Sequence, residues 1–222
     1  SKLLYRRVDQ VVTLTQNDKV QFDQFHSNVL VIPNFSPFPV YGHRNNDSKE
    51  ILTIGRLTDQ KNYIHLLKAW KKIYSLIPDW KLNIYGEGEH LQHLTDYIKK
   101  NSLQNIFLKG VTSNVQNVYE ESAFFVMSSK YEGLPMVLIE AQSFGLPIIS
   151  YNCPYGPSDV ISSNENGILV EDQNIQKLAD AILQITSSPT MLAQFSQKSL
   201  VIAKKYQSEQ ILNIWIEKVL EG

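Results

Sequence analysis

The sequence predicts an α/β fold built on a doubly wound, six-stranded parallel sheet. Three observations predict it. Six short apolar runs, at residues 51–54, 82–85, 106–108, 124–126, 148–149 and 168–170, have strand length and lack polar alternation, as strands buried on both faces do. Between them lie stretches with apolar residues at helical spacing. Beyond Pro189 the pattern is helical alone.

Each element has its own justification. Residues 1–33 read as the end of a helix, a strand at 8–14, a helix at 17–25 and a strand at 29–32. Pro33, Pro37 and Pro39, with the polar stretch 42–49, form a linker of the kind found between domains. After the run at 51–54, Ile64, Leu67, Trp70, Ile73, Tyr74 and Ile77 share one face of a helix that Pro78-Asp79 ends. Leu91, Leu94, Tyr97 and Ile98 mark the next amphipathic helix. Further helices are expected at 115–121, 135–144 and 175–186. Pro135 suits the first position of its helix, because its missing N–H would lack a partner there. The final stretch, 207–220, carries Ile211, Ile214, Trp215 and Val219 on one face, which packs on this domain or reaches to another.

At 222 residues and 43% hydrophobic, the chain fits one α/β domain with extensions and a full core. With 21 basic and 22 acidic residues, no bulk field favours nucleic acid or an acidic membrane. The single cysteine, Cys153, excludes an internal disulfide framework and leans towards a reducing compartment. No apolar run is long enough to span a bilayer, and no secretory signal pattern opens the sequence. The first residue is Ser rather than Met, which suggests a piece of a longer chain.

Open α/β sheets bind ligands at the carboxyl ends of their strands, so the polar residues just after the runs are the candidates. Gly55-Arg56-Leu57 and Lys61 follow the first run. A guanidinium fork and an ammonium could clamp a diphosphate, although alone they read as a solvated basic loop. Gly86-Glu87-Gly88 follows the second run; Leu91 stands where a dinucleotide fingerprint wants a third glycine, which disfavours hydride chemistry. Gly110-Val111 follows the third and is equally well a plain turn. After the fourth, Glu132 and Gly133 sit in a loop that feeds a helix N-terminus, an anion site by virtue of its open amides and dipole. Glu140 lies more than a turn inside that helix. Two carboxylates cannot themselves partner the anion, but they can accept from hydroxyls attached to it, as a nucleotide sugar offers. Asp159 follows the fifth run. Cys153 has no base partner and reads as a small loop residue. His26, His43, His65, His90 and His93 are scattered; His90 and His93 share a helix face without a third ligand at suitable spacing, so no metal is expected.

Glu132 and Glu140, with seven residues between them and enclosing Gly133-Leu134-Pro135, resemble the Glu-x7-Glu motif of nucleotide-sugar glycosyltransferases with the GT-B fold, above all the retaining family four. The resemblance covers most of residues 29–206. It implies the C-terminal, donor-binding, Rossmann-like half of a GT-B fold ending in a C-terminal crossing helix. Residues 1–33 would be a remnant of the N-terminal domain and 34–49 the interdomain linker, with Val31-Ile32-Pro33-Asn34 matching the family's crossing phrase. Residues 50–206 would be the donor domain and 207–222 the crossing helix. Arg56, Lys61 and Glu132 are the implied catalytic residues: the two cations neutralise the donor diphosphate and Glu132 meets the donor sugar. Gly55, Gly86, Val111, Gly133, Leu134, Pro135, Met136, Val137 and Glu140 are the implied donor-binding residues. Glu140 takes the ribose hydroxyls, the amides of Leu134, Met136 and Val137 face the phosphates, and the backbone near Val111 reads the base. Many relatives carry glycine where Pro135 stands, and proline removes one amide contact. Relatives usually carry Glu where Asp159 stands, as the cap of a short helix near the donor, a role Asp159 could take with a shorter reach.

The implied reaction moves a hexose or N-acetylhexosamine from a UDP-linked donor to a hydroxyl acceptor with retention, in polysaccharide, lipopolysaccharide or glycoconjugate biosynthesis. It needs no cofactor and no metal. The implied partners are the donor, a glycan or lipid-linked acceptor and the missing N-terminal half, with no nucleic acid; the implied location is cytoplasmic, peripheral at the inner membrane face. Alone, this chain is expected to bind donor weakly and transfer nothing. Two other classes stay open: a GT-B sugar-nucleotide epimerase, and a non-catalytic nucleotide-binding subunit that needs a partner chain.

Overall fold

A computed structural model describes residues 5, 7–42, 45 and 47–221. The helix end expected at the start of the chain, and His43, lie outside the described residues. Two parallel sheets are present. The small one pairs β1 (Val11–Thr13) with β2 (Val29–Val31), joined by helix α1 (Gln16–Phe22). The expected spans here were longer at both strands and ran α1 to residue 25. A two-stranded sheet offers each strand a single neighbour, and Val8 and Leu14 stay exposed beyond the paired part.

The main sheet is six-stranded and parallel, as the sequence predicts. Its strands are β3 (Glu50–Ile54), β4 (Lys81–Tyr85), β5 (Ile106–Gly110), β6 (Phe124–Met127), β7 (Ile148–Tyr151) and β8 (Gly167–Val170). They lie in the order β5-β4-β3-β6-β7-β8. The chain winds outwards from β3 to β5, returns to β6 beside β3, and winds outwards again to β8. The winding therefore reverses between β3 and β6, and the crevice at their carboxyl ends is the switch point where such sheets take ligands.

The two faces of the sheet are separated by strand alternation. Ile51, Phe124 and Val126 face a core layer with Leu66, Leu67, Trp70 and Ile73 of α2 (Tyr63–Ile73), Leu94 of α3 (Leu91–Lys100) and Leu178, Ala179 and Ile182 of α7 (Ile175–Thr186). Leu52, Phe125 and Met127 face the other, with Tyr119 of α4 (Val115–Glu120), Leu138, Ile139 and Ala141 of α5 (Met136–Ser143) and Val160 of α6 (Pro157–Val160). Each buried Leu, Ile or Phe contributes about 1.5–3 kcal/mol. Trp70 satisfies its indole N–H on the Gln104 carbonyl at 2.9 Å, so its burial leaves no orphan donor.

Several boundaries differ from expectation. Helix α2 stops at Ile73, although the apolar spacing continues to Ile77. The residue before Pro78 is biased away from helical geometry, so the last turn opens while Ile77 still packs into the core. Leu91 begins α3 but is exposed, leaving Leu94 as that helix's buried anchor. Pro135 is the N-cap of α5 rather than its first helical residue, with an extended ψ of 94°. Beyond α8 (Pro189–Ala203), α9 (Ser208–Trp215) continues into a wider turn at Ile216–Leu220. Its Ile211 is buried, and Gln10, beside β1, donates to the Lys218 carbonyl at 3.5 Å. The C-terminal helix thus reaches back to the small sheet. No helix among the described residues is long and apolar enough to cross a membrane.

Candidate functional site

The loops after β3 and β6 meet at the switch point and are stitched together. The Lys130 amide donates to the Gln60 carbonyl at 2.8 Å, the Gln60 side chain to the Tyr131 carbonyl at 3.0 Å, and the Ser128 hydroxyl to the Lys61 carbonyl at 3.0 Å. Asn62 supplies the left-handed residue that turns the first loop into α2, a conformation asparagine tolerates. Across the seam, Lys61 Nζ and Glu132 Oε1 form an ion pair of 2.7 Å whose side chains are 17% and 8% exposed. One ammonium proton is thereby used and two remain. Arg56 stands exposed in the same loop, with no carboxylate partner among the described residues.

The turn glycines form the rim. The Gly55 amide donates to the Tyr85 carbonyl at 3.0 Å and the Gly86 amide to the Gly110 carbonyl at 2.8 Å. Gly86 has a φ of +139°, and a Cβ there would lie 2.0 Å from the Gly55 carbonyl oxygen, so only glycine allows β3 and β4 to end this close. Val111 lies at the far end of this rim, 69% exposed.

Gly133 is exposed, with open space where a Cβ would stand. Helix α5 has no side-chain cap, and among the described residues no acceptor takes the amides of Leu134, Met136 or Val137. Three donors therefore stand at the positive end of a helix. Glu140 lies one turn further in, and Tyr119 Oη donates to its Oε2 at 2.8 Å. Burial pushes the Glu140 carboxyl up, while the Tyr119 bond works against that. A cleft of about 340 Å³ runs beside it, lined by Asn34, Phe35 and Pro37, from the segment between β2 and β3, with Met136 and Glu140. The glycine, cation and carboxylate candidates that follow the strands thus fall on one edge of the sheet. Lys61 and Glu132 are in contact, whereas Arg56 and Val111 reach towards solvent.

Residues 41–200 match the model described as "Glycosyl transferases group 1". The chain belongs to the group 1 glycosyltransferases. It is 34% identical to the amylovoran biosynthesis glycosyltransferase AmsD of Erwinia amylovora over 95% of this chain and 62% of the relative. It is 32% identical to the poly(ribitol-phosphate) alpha-N-acetylglucosaminyltransferase of Staphylococcus aureus over 95% of this chain and 43% of the relative. Among solved structures, S. aureus TarM in a complex containing UDP superposes with a TM-score of 0.86 at 31% identity, over 96% of this chain and 44% of that one. The chain thus spans about two-fifths to three-fifths of the length of these relatives, and it is a C-terminal GT-B domain.

Other parts of this glycosyltransferase domain carry no signal in sequence. Gly156, with a φ of +85°, packs under the Gly133 loop so closely that a Cβ would lie 1.8 Å from the Gly133 carbonyl oxygen. The Pro154-to-Pro157 turn hints at the bend but not at what it supports. Tyr119 is separated from Glu140 by twenty residues and a strand, so spacing could not pair them. Asp159 does not cap its own short helix: Gly156 is the N-cap there, and Asp159 Oδ1 instead accepts from the Gln16 amide at 2.8 Å, at the first residue of α1. The side chain thereby ties the small sheet's helix to the main sheet, assisted by a hydrogen bond from Gln21 to the Tyr155 hydroxyl. Cys153 is buried, and burial pushes its thiol up to about 12, with Glu132 and Asp172 adding to the shift. No group of three or more metal-ligating side chains occurs among the described residues. A hollow of about 650 Å³ beside Asp79, Trp80 and Leu192 lies at the opposite end of the strands and contains none of these residues.

Proposed function

We propose that this chain is the donor-binding half of a retaining glycosyltransferase. It takes a hexose or N-acetylhexosamine from a UDP-linked donor and delivers it to a hydroxyl of a glycan or lipid-linked acceptor. The observation that carries this reading is the juxtaposition at the switch point: the Lys61–Glu132 pair together with three open amides, those of Leu134, Met136 and Val137, at the start of α5. Cations and amides suit a diphosphate, and carboxylates suit the hydroxyls at its two ends.

In this reading the anomeric carbon–oxygen bond to the diphosphate breaks while the acceptor oxygen bonds to the same face. The acceptor proton passes to the departing diphosphate oxygen. Arg56, Lys61 and the amides of Leu134, Met136 and Val137 stabilise the negative charge as it grows, which is where preorganised electrostatics contribute most. Glu132 holds Lys61 in place and accepts from the donor sugar; Glu140 accepts from the ribose. Gly55, Gly86, Gly133 and Pro135 shape the rim, and the backbone at Val111 meets the base. Neutralisation by side chains and amides gives a metal or cofactor no assigned part.

Relatives favour this donor class. Two GtfA subunits, from Streptococcus parasanguinis and Streptococcus agalactiae, are named UDP-N-acetylglucosamine--peptide N-acetylglucosaminyltransferases, and the TarM complex contains UDP. Residues 1–33 are proposed as the end of the N-terminal domain, 34–49 as the linker, 50–206 as the donor domain and 207–222 as the crossing helix. Acceptor contacts would come from the N-terminal half, with the enzyme working at the cytoplasmic membrane face. A second reading, a nucleotide-binding subunit completed by another chain, has support in the fold likeness to a GtfA/B complex at 26% identity and TM-score 0.87.

Calorimetry of this chain against UDP-, GDP- and ADP-sugars, followed by radiolabelled transfer with the full-length enzyme, tests the proposal. Preference for UDP-sugars and an acceptor-dependent product with retained configuration are expected. An altered sugar released without acceptor would replace the proposal with epimerase chemistry.

A further inference from the structure

Glu140, taken above as the grip on the ribose, has one hydrogen-bonding partner among the described residues: the hydroxyl of Tyr119, at 2.8 Å from Oε2. Tyr119 sits on α4 and is fully buried. Its ring stacks on Phe144 at 5.1 Å and 13°, meets Phe38 edge-on at 6.2 Å and lies tilted against Phe125 at 6.5 Å. Tyr41 of the linker stacks on Phe144 in turn, at 4.8 Å and 5°. A ring held on three sides cannot swing, so the direction of its hydroxyl is set by packing.

We propose that Tyr119 is a positioning residue for donor binding, fixing the rotation of the Glu140 carboxylate so that Oε1 is left to accept from a ribose hydroxyl. The inference rests on the donor reading above. A half-buried glutamate beside an open cleft would otherwise lose side-chain freedom on binding, and the Tyr119 bond orders it beforehand. The same bond acts on ionisation. Burial raises the Glu140 carboxyl, and the hydroxyl opposes that by favouring the charged form. Tyr119 is itself pushed well above its ordinary value by burial and by Glu140, so it stays a donor. The other groups lining the cleft at Glu140 are Asn34, Phe35, Pro37 and Met136, all uncharged, so among the described residues Tyr119 is the titratable group that acts on it.

The test compares this chain with its Tyr119→Phe and Glu140→Gln variants. Carbon-detected NMR follows the Glu140 carboxyl titration, and calorimetry measures UDP and 2′-deoxy-UDP binding between pH 5.5 and 8. Phenylalanine keeps the ring stack, so folding is retained. In Tyr119→Phe the Glu140 midpoint should rise and UDP should bind about three- to tenfold more weakly, the scale of one ordinary hydrogen bond. The loss should grow towards pH 5.5, and the advantage of UDP over its 2′-deoxy form should shrink. A Glu140 midpoint that does not move, or UDP affinity kept in Tyr119→Phe but lost in Glu140→Gln, overturns the inference. Unchanged UDP binding in Glu140→Gln would instead remove the ribose assignment on which it rests.

Discussion

Removing the charge of Lys61 should cost far more stability than removing it together with that of Glu132. The pair lies 2.7 Å apart, with side chains 17% and 8% exposed, so Lys61→Met leaves a carboxylate buried without its partner while keeping the aliphatic stem against Gly55. Breaking such a pair costs about 3–5 kcal/mol when it is fully buried; the residual exposure brings the expectation to about 3 kcal/mol. For a chain of 222 residues that is a fall in Tm of about 6–12 °C. The double variant Lys61→Met/Glu132→Gln removes both charges with little change in shape and should lie within about 1 kcal/mol of wild type. Urea unfolding of the three proteins at pH 7.5 measures this. Donor turnover in the full-length enzyme should behave differently, collapsing in both variants because the cation is missing from each. A single variant that loses less than about 0.5 kcal/mol would refute the reasoning. So would a double variant as unstable as the single one, since the cost would then not be an uncompensated charge.

Further outcomes follow from the same geometry. Gly156→Ala should weaken UDP binding and lower Tm, because the left-handed backbone costs about 1–2 kcal/mol and the new Cβ displaces the Gly133 carbonyl; unchanged binding by calorimetry would detach Gly156 from the site. Cys153, with its thiol pushed up to about 12, should resist iodoacetamide at pH 8 in the folded chain and react once urea unfolds it. Mass spectrometry reads the difference, and rapid native labelling would contradict the burial. His65 is held below its ordinary value of 6.5 by burial, then by Lys68 and Lys130. A depressed pKa gives stability that is complete above the unfolded value and lost as pH falls through the folded one. Urea midpoints should therefore fall more steeply from pH 7 to pH 5 in wild type than in His65→Asn, and parallel curves would count against the assignment.

The sheet was legible because strands covered on both faces must be apolar throughout, and short unbroken runs such as 124–126 and 148–149 have few other uses. The candidate site was legible for a related reason. In a parallel sheet the residues just after each run come to one edge, so Arg56, Lys61, Glu132 and Glu140 could be gathered without coordinates. Helix ends were less legible, because periodicity reports which side is buried and not whether the backbone is still helical. Ile77 stays in the core after α2 has opened, and Pro135 stands outside the helix it introduces. Long-range polar partners were not legible at all. The Tyr119 bond to Glu140 and the Asp159 bond to the Gln16 amide depend on how separate elements stack, and Asp159 turned out to cap a helix 143 residues away rather than its own.

The most direct measurement is a crystal structure of this chain soaked with a UDP-sugar. The account predicts the diphosphate at the carboxyl ends of β3 and β6, within hydrogen-bonding distance of Arg56, Lys61 and the amides of α5, with the ribose on Glu140. A diphosphate seated elsewhere, such as the hollow beside Trp80 and Leu192, with Arg56 and Lys61 turned to solvent, would contradict it.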